Sequence, residues 1–244
     1  MDPIIAEKLW NWAERYNNPR YFEEDPIAFP RRFAAHLNPV EPTLGFGGEA
    51  GNSCLQDVEI AAVFAAHLAW GRRAMIVRDC SRLFDEMMWK PYDYVMAGDW
   101  RSDNTSLHRT VKWSEIAKIC RRLKEFYAEN ESLEILSAEQ MRTRIYGQKE
   151  DPKAANKKIW MLRRWMVRDD GKVDLGLWKN CDKRDLVIPL DVHVYRQAVE
   201  LGLTRRRAKD IVTARDITDA FREIFPDDPA KGDFALFGYG VNNA

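Results

Sequence analysis

The sequence predicts an all-α fold, and three observations carry that expectation. Apolar residues recur at helical spacing through most of the chain, while alternating-strand patterns are nearly absent, only "LVIPL" (186–190) reading as extended. Gly, Pro and Asn punctuate the periodic stretches where helices would end. The 244 residues are 45% hydrophobic and 31% charged, enough for one large domain or for two small helical lobes sharing a cleft.

Taken in order, Ile4 to Tyr16 is an amphipathic helix, broken by three prolines and an Asn pair in "YNNPRYFEEDPIAFPRRF". A short helix is expected over Arg31 to Leu37. The Gly/Pro-rich stretch "NPVEPTLGFGGEAGNS" (38–53) then reads as a loop. "CLQDVEIAAVFAAHLAWG" is a strongly apolar helix with Asp57 and Glu59 in its first turns, where the helix dipole favours anions, and Gly71 closes it. "RRAMIVRDCSRLFDEMMW" opens a second helix, so "WGRR" stands at a joint. Further helices are expected over Pro91 to Met96, Trp113 to Asn130, Leu133 to Tyr146, Lys157 to Arg168, Asp191 to Leu201, Thr213 to Phe225 and Asp233 to Phe237. There is no internal repeat and no low-complexity tract.

Composition narrows the chemistry. Lys+Arg and Asp+Glu are both 38, so a nucleic-acid site has to come from local clustering rather than a global basic field. Cys54, Cys80, Cys120 and Cys181 share no repeated spacing, which argues against a zinc ribbon, an iron–sulfur cluster and a disulfide framework; no cofactor is expected. "MDPIIAEKLWNW" has no basic region followed by an apolar one, and no window approaches 18 uninterrupted apolar residues. The expectation is a cytoplasmic protein with no membrane span.

Four constellations hold residues suited to chemistry. From Met141 to Arg168 the chain carries nine Lys/Arg against two acids, a local charge of about +7, with Trp160 and Trp165 interleaved; it reads either as a solvated face or as a phosphate-binding patch. Arg163 and Arg164 lie within it, and "TRRRAKD" (204–210) adds Arg205 and Arg206. Lys157 and Lys158 stand at a helix start, where the positive helix end and basic neighbours disfavour the ammonium form, as an amine nucleophile requires; two solvated lysines are the plainer reading. Asp191, after Pro189, is a helix N-cap, and a carboxylate fixed at a helix mouth can also steer a nucleophile or stabilise a developing cation. His193 follows two residues later. At the joint, His67, Trp70, Gly71, Arg72 and Arg73 suit contact with nucleic acid, or a core tryptophan flanked by surface arginines. His108 and Arg109 form a polar pair on a loop in "SLHRTV". His67, His108 and His193 with Asp191 also permit a helical metal-dependent hydrolase, although no paired-histidine motif supports it.

"DVEIAAVFAAHLAWGRR", "SLHRTV", "KKIWMLRRWMVRDDGKVDLGLW", "IPLDVHVYRQAVELGLTRR" and "DFALFGYG" together resemble a bacterial family of conserved hypothetical proteins from about Tyr16 to Gly240. More distantly, "PLDVHVYRQAVELGL" is similar to the segment of helix–hairpin–helix DNA glycosylases in which an Asp opens a helix and a His or Asn and then an Arg follow, here Asp191, His193 and Arg196. "NKKIWMLRRWM" holds the order of the catalytic-lysine helix, Lys157 being preferred to Lys158, and the long Lys-to-Asp gap looks most like the archaeal 8-oxoguanine type. "FAAHLAWGRRAMIVRDCSRLF" falls where that fold offers a residue to the hole left by a flipped base, and "DFALFGYG" where it has its closing helix. The hairpin signature L-P-G-x-G is replaced by "GQKEDPKAAN", and the four-cysteine cluster loop is missing.

The resemblance implies a two-lobed glycosylase-like fold with an interlobe cleft, one lobe holding about 55–150 and the other 1–54 with 151–244. It implies a base-excision enzyme on double-stranded DNA, with abasic-site lyase activity if a lysine is the nucleophile. Asp191 and Lys157 or Lys158 would be catalytic. Trp70, Arg72, Arg73, Arg163, Arg164, His193, Arg196, Arg205 and Arg206 would contact nucleic acid, and His67, His108 and Trp160 would line the base pocket. The alternative is a nucleic-acid-binding or protein-interaction module that has the fold without the chemistry.

Overall fold

A computed structural model describes residues 1–37 and 53–242, with the backbone alone for 241 and 242; the 38–53 loop of the sequence reading therefore lies outside the described residues except for Ser53. The described residues form eleven α-helices, short 3₁₀ and π turns, and one two-stranded hairpin, so the protein is all-α. They divide into two compact units, one of residues 22–148 and one of residues 1–21 with 149–244. Residues 22–37 thus belong with the central helices, whereas the sequence reading placed the first 54 residues with the terminal part.

In the central unit, α2 (Ala28–Ala34) packs on α3 (Leu55–Leu68). It begins three residues earlier than the sequence indicated, because Pro30 lies in the first turn, where its missing N–H is tolerated. Helix α3 is buried on all sides, from Val58 through Ala66, and forms the centre of the unit. Asp57 starts two helices at once: Oδ2 accepts the Cys54 N–H at 3.0 Å, and Oδ1 accepts the Tyr92 N–H at 2.9 Å in the first turn of α5 (Pro91–Ala97). Helix α3 ends at Leu68 rather than at Gly71, and Gly71 lies within the joint at φ +106°. Helix α4 (Arg73–Glu86) follows, burying Ile76, Asp79, Cys80, Leu83 and Phe84.

"SLHRTV" is a hairpin rather than a loop: β1 (Ser106–His108) pairs antiparallel with β2 (Val111–Lys112) around a left-handed Arg109. Helix α6 (Trp113–Tyr127) then buries Trp113, Ile116, Cys120 and Leu123 at helical spacing. The single helix expected over 133–146 is broken. Buried Glu59 accepts the Leu133 N–H and the Ser132 and Tyr127 hydroxyls, which holds the chain in a 3₁₀ turn. Ser137 and Gln140 then form a capping box that restarts it as α7 (Ala138–Gln140), running into a π turn over Met141–Ile145.

In the other unit, α1 (Pro3–Tyr16) is capped by Asp2 and buries Leu9, Ala13 and Tyr16 against α11 (Gly232–Asn242). Helix α11 is longer than Asp233 to Phe237, because its glycines permit close packing rather than ending it. A Cβ at Gly238 would meet the Tyr16 ring at 2.5 Å, and one at Gly240 would lie 3.4 Å from Cβ of His193 on α9 (Val192–Glu200). The remaining helices are α8 (Lys157–Val167) and α10 (Ile211–Arg222). "LVIPL" is buried coil: Ile188 donates its N–H to Thr218 Oγ1 on α10 at 3.0 Å, and Pro189 has no donor for a ladder.

Candidate active site

Helix α8 carries Lys157, Arg164 and Arg168 on one face, since seven and eleven residues are close to two and three turns; Lys157 and Arg164 stand about 10 Å apart along the axis. Asn156 enters the helix at φ +49° and its side chain supplies no cap, so Lys157 sits at the first helical position. Farther along, the stripe turns inward. Arg164 donates to Asp174 at 3.3 Å and to Asp233 on α11. Arg168 holds Asp228 through two nitrogens at 2.8 and 2.7 Å, Asp170 at 3.0 Å, and also Asp174. Both guanidinium groups lie over the Phe234 ring, at 4.5 and 5.0 Å. Burial works against the charge on Arg168, but Asp228, Asp174 and Asp170 outweigh it and raise its pKa.

Asp191 caps α9: its Oδ1 accepts the Val194 N–H at 2.9 Å, and its other oxygen accepts no hydrogen bond among the described residues. Helix α11 packs beside α9 and brings Asp233 to this corner. Burial pushes the Asp233 carboxyl up to about 6. Contact with Arg164 and the charge of Lys157 pull it down, while Asp191 and Asp174 push it further up. Burial and the two neighbouring acids prevail, because Arg164 is shared with Asp174. The structure therefore places both Lys157 and Asp191 within electrostatic reach of Asp233, the first two at helix mouths and the third buried. A carboxylate and an amine held next to a group that protonates near neutrality can move protons and stabilise a developing cation.

Other residues singled out in the sequence lie elsewhere. Arg164 is corrected as a nucleic-acid contact, because it is buried among carboxylates and presents no face to a phosphate. Trp160, one turn from Lys157, is buried, and its indole N–H has no acceptor among the described residues. Lys158, Arg163 and His193 are half-buried, and the Arg163 guanidinium lies 5.9 Å from the Trp160 ring. Arg196 and Arg205 are exposed. Arg206 is partly occupied, donating to Thr213 at 3.0 Å and Asp210 at 2.9 Å. The Tyr195 hydroxyl ties this basic loop to α9 through the carbonyls of Arg206 and Arg207.

In the central unit, His67 is half-buried and stacked on Tyr146 at 5.5 Å. Arg72 is exposed, Arg73 faces Asp25 at 3.9 Å and Trp70 is half-buried. His108 is corrected as a base-pocket residue: it is wholly buried, with Asp79 at 2.8 Å and the Trp70 carbonyl at 2.9 Å occupying its two ring nitrogens. No group of three His, Cys, Asp or Glu side chains able to hold a metal occurs among the described residues, so the metal-hydrolase reading finds no ligand set there. No helix among them is long and apolar enough to cross a membrane.

Asp233, Asp174 and Arg168 were not read from the sequence as site residues, and Arg164 was read only as a nucleic-acid contact. The one available signal was an acid in the first turn of an apolar helix, "GDFALF", where an uncharged residue would suffice for packing.

A family model described as "Protein of unknown function (DUF2400)" matches residues 52–151 and 137–242. The chain belongs to that family. No curated protein and no solved structure matches it. The DUF2400 match takes in everything from α3 to α11, and so includes Lys157, Asp191 and Asp233 as well as the joint at Trp70.

Proposed function

We propose that this DUF2400 protein is a DNA base-excision glycosylase with abasic-site lyase activity. The observation that carries the reading is that buried Asp233 feels the charges of both Lys157 and Asp191, each of which stands at the mouth of its own helix. The order of lysine helix and aspartate-capped helix resembles that of helix–hairpin–helix glycosylases, and the basic surface at Arg196, Arg205 and Arg207 supplies exposed cations for phosphate.

In this reading a damaged base leaves the duplex stack, at a cost of about a few kcal/mol. Asp191 stabilises positive charge at the sugar C1′. The Lys157 nitrogen lone pair forms a bond to C1′ as the bond between C1′ and the base breaks; the base departs with that electron pair and takes up a proton from water. Asp191 accepts one proton from the nitrogen and passes it to O4′ as the C1′–O4′ bond breaks, and the nitrogen lone pair closes the C=N bond of a protonated Schiff base.

Base release from duplex oligonucleotides bearing 8-oxoguanine tests the proposal. Wild type should release the base, Asp191→Asn should lose at least about a hundredfold in rate, and Lys157→Ala should abolish strand nicking. Absence of release by wild type across oxidised, alkylated and deaminated bases would overturn the enzymatic reading. Duplex binding that persisted and fell with salt would then point to a binding module on the same fold, a reading favoured by the burial of Arg164 and Arg168 away from any phosphate.

A further inference from the structure

His108 lies wholly buried on β1 with both ring nitrogens engaged. Nδ1 is 2.8 Å from Oδ2 of Asp79 on α4, and Nε2 is 2.9 Å from the Trp70 carbonyl in the α3–α4 joint. A carbonyl oxygen only accepts. Asp79 stays ionised: burial pushes its carboxyl up, but hydrogen bonds from Arg78, His108 and Arg82 outweigh burial and hold it below its ordinary value. An ionised carboxylate also only accepts. A neutral imidazole has a single N–H, so one of the two contacts would set lone pair against lone pair. Both are satisfied only when both nitrogens carry protons.

The same residues shape the joint. The Arg109 guanidinium lies 4.5 Å from the Trp70 ring, and the His108 ring meets that ring edge-on at 5.5 Å. Gly71 stands at φ +106°, and a Cβ there would come within 2.9 Å of Arg109 Nη1, so the arginine crosses the joint where no other side chain leaves room. Arg82 secures the hairpin from the other side by donating to the Leu107 carbonyl at 2.9 Å. We propose that His108 is a buried imidazolium that positions the joint, and that the joint so held presents Trp70 and exposed Arg109 as a stacked, cationic platform for a nucleotide base and its phosphate. The nucleic-acid half rests on the proposed function; the imidazolium does not.

Among the described residues, the charged groups that contacts place about His108 are Asp79 from α4, which also holds Arg78 and Arg82, and Arg109 from its own hairpin across the Trp70 ring. Arginines outnumber acids there, so Asp79 in direct contact is the acceptor for the Nδ1 proton, and without a proton on Nε2 the Trp70 carbonyl has no donor from this ring.

The test uses the full chain. Nitrogen-15 spectra of the histidine rings, followed from about pH 6 to about pH 9, should show both nitrogens of His108 protonated at neutral pH. Asp79→Asn should convert the ring to a neutral tautomer at the same pH, with amide hydrogen exchange at residues 69–73 faster by about tenfold. An unprotonated ring nitrogen in wild type at neutral pH would overturn the imidazolium. Arg109→Ala, an exposed change, should leave the ring spectrum intact, weaken binding to an abasic duplex about tenfold and lower the salt slope by about one. Unchanged binding in that variant would overturn the platform. Absence of duplex binding in wild type, with the ring spectrum as expected, would overturn the nucleic-acid half and leave the clamp standing.

Discussion

Each unit builds an ionic cluster around buried charged groups, with the arginines of the Asp79 cluster exposed, and the clusters are opposite in balance. Around Arg164 and Arg168, two cations meet four carboxylates: Asp170, Asp174, Asp228 and Asp233. Around Asp79, one carboxylate meets Arg78, Arg82 and His108. Both acids are desolvated, yet Asp233 is pushed up to about 6 while Asp79 is held below its ordinary value. Burial alone does not fix the sign; the local count of opposite charges does. The acid-rich cluster leaves one carboxyl able to carry a proton beside Lys157 and Asp191, while the base-rich cluster leaves a fixed anion that organises a joint.

The comparison can be broken most forcefully at Asp174, which holds both arginines. Asp174→Ala leaves two buried guanidinium groups short of an acceptor and should destabilise the protein by about 3–5 kcal/mol, read as a lowered urea midpoint. A loss under about 1 kcal/mol would mean that the cluster is solvated. Asp79→Asn removes the only carboxylate of the other cluster and should cost about 1–3 kcal/mol at neutral pH. A carboxyl with a depressed folded value stabilises above its unfolded value, and that contribution is lost as pH falls through the folded value. The gap between wild type and Asp79→Asn should therefore close in acid, below about pH 4.

Asp233 has the reverse sign. Its folded value lies above the unfolded one, so the native state binds more protons between about pH 4 and pH 6. There Asp233 makes stability fall as pH rises, by up to about 1.4 kcal/mol per pH unit. Asp233→Asn should remove that slope, seen in melts across this range, and an unaltered slope would show that another group titrates. The smallest structural effect is expected at Arg205, which is exposed: Arg205→Ala should alter stability by less than about 0.5 kcal/mol while reducing the salt slope of duplex binding by about one.

What the sequence disclosed follows the range of the interactions. Asp191 was legible as a cap because its partner, Val194, is three residues away. The start of α8 at Lys157 was legible from local pattern. Arg164 was misplaced on a binding surface because its partners lie 10 and 69 residues away, and nothing in "KKIWMLRRWMVR" marks which arginines turn inward. Asp233 went unnoticed for a related reason: the glycines of "DFALFGYG" read as helix breakers, whereas they admit Tyr16 and His193 to close contact. His108 was read as half of a polar pair, a base-pocket residue or a metal ligand, and its burial was missed because Asp79 and Trp70 lie 29 and 38 residues before it.

Borohydride trapping on a duplex bearing an abasic site is the most direct test of whether Lys157 and Asp191 form one catalytic site. The account predicts a covalent protein–DNA adduct with wild type and with Lys158→Ala, its loss in Lys157→Ala, and slower formation in Asp191→Asn. No adduct with wild type, or an adduct undiminished by Lys157→Ala, would contradict it.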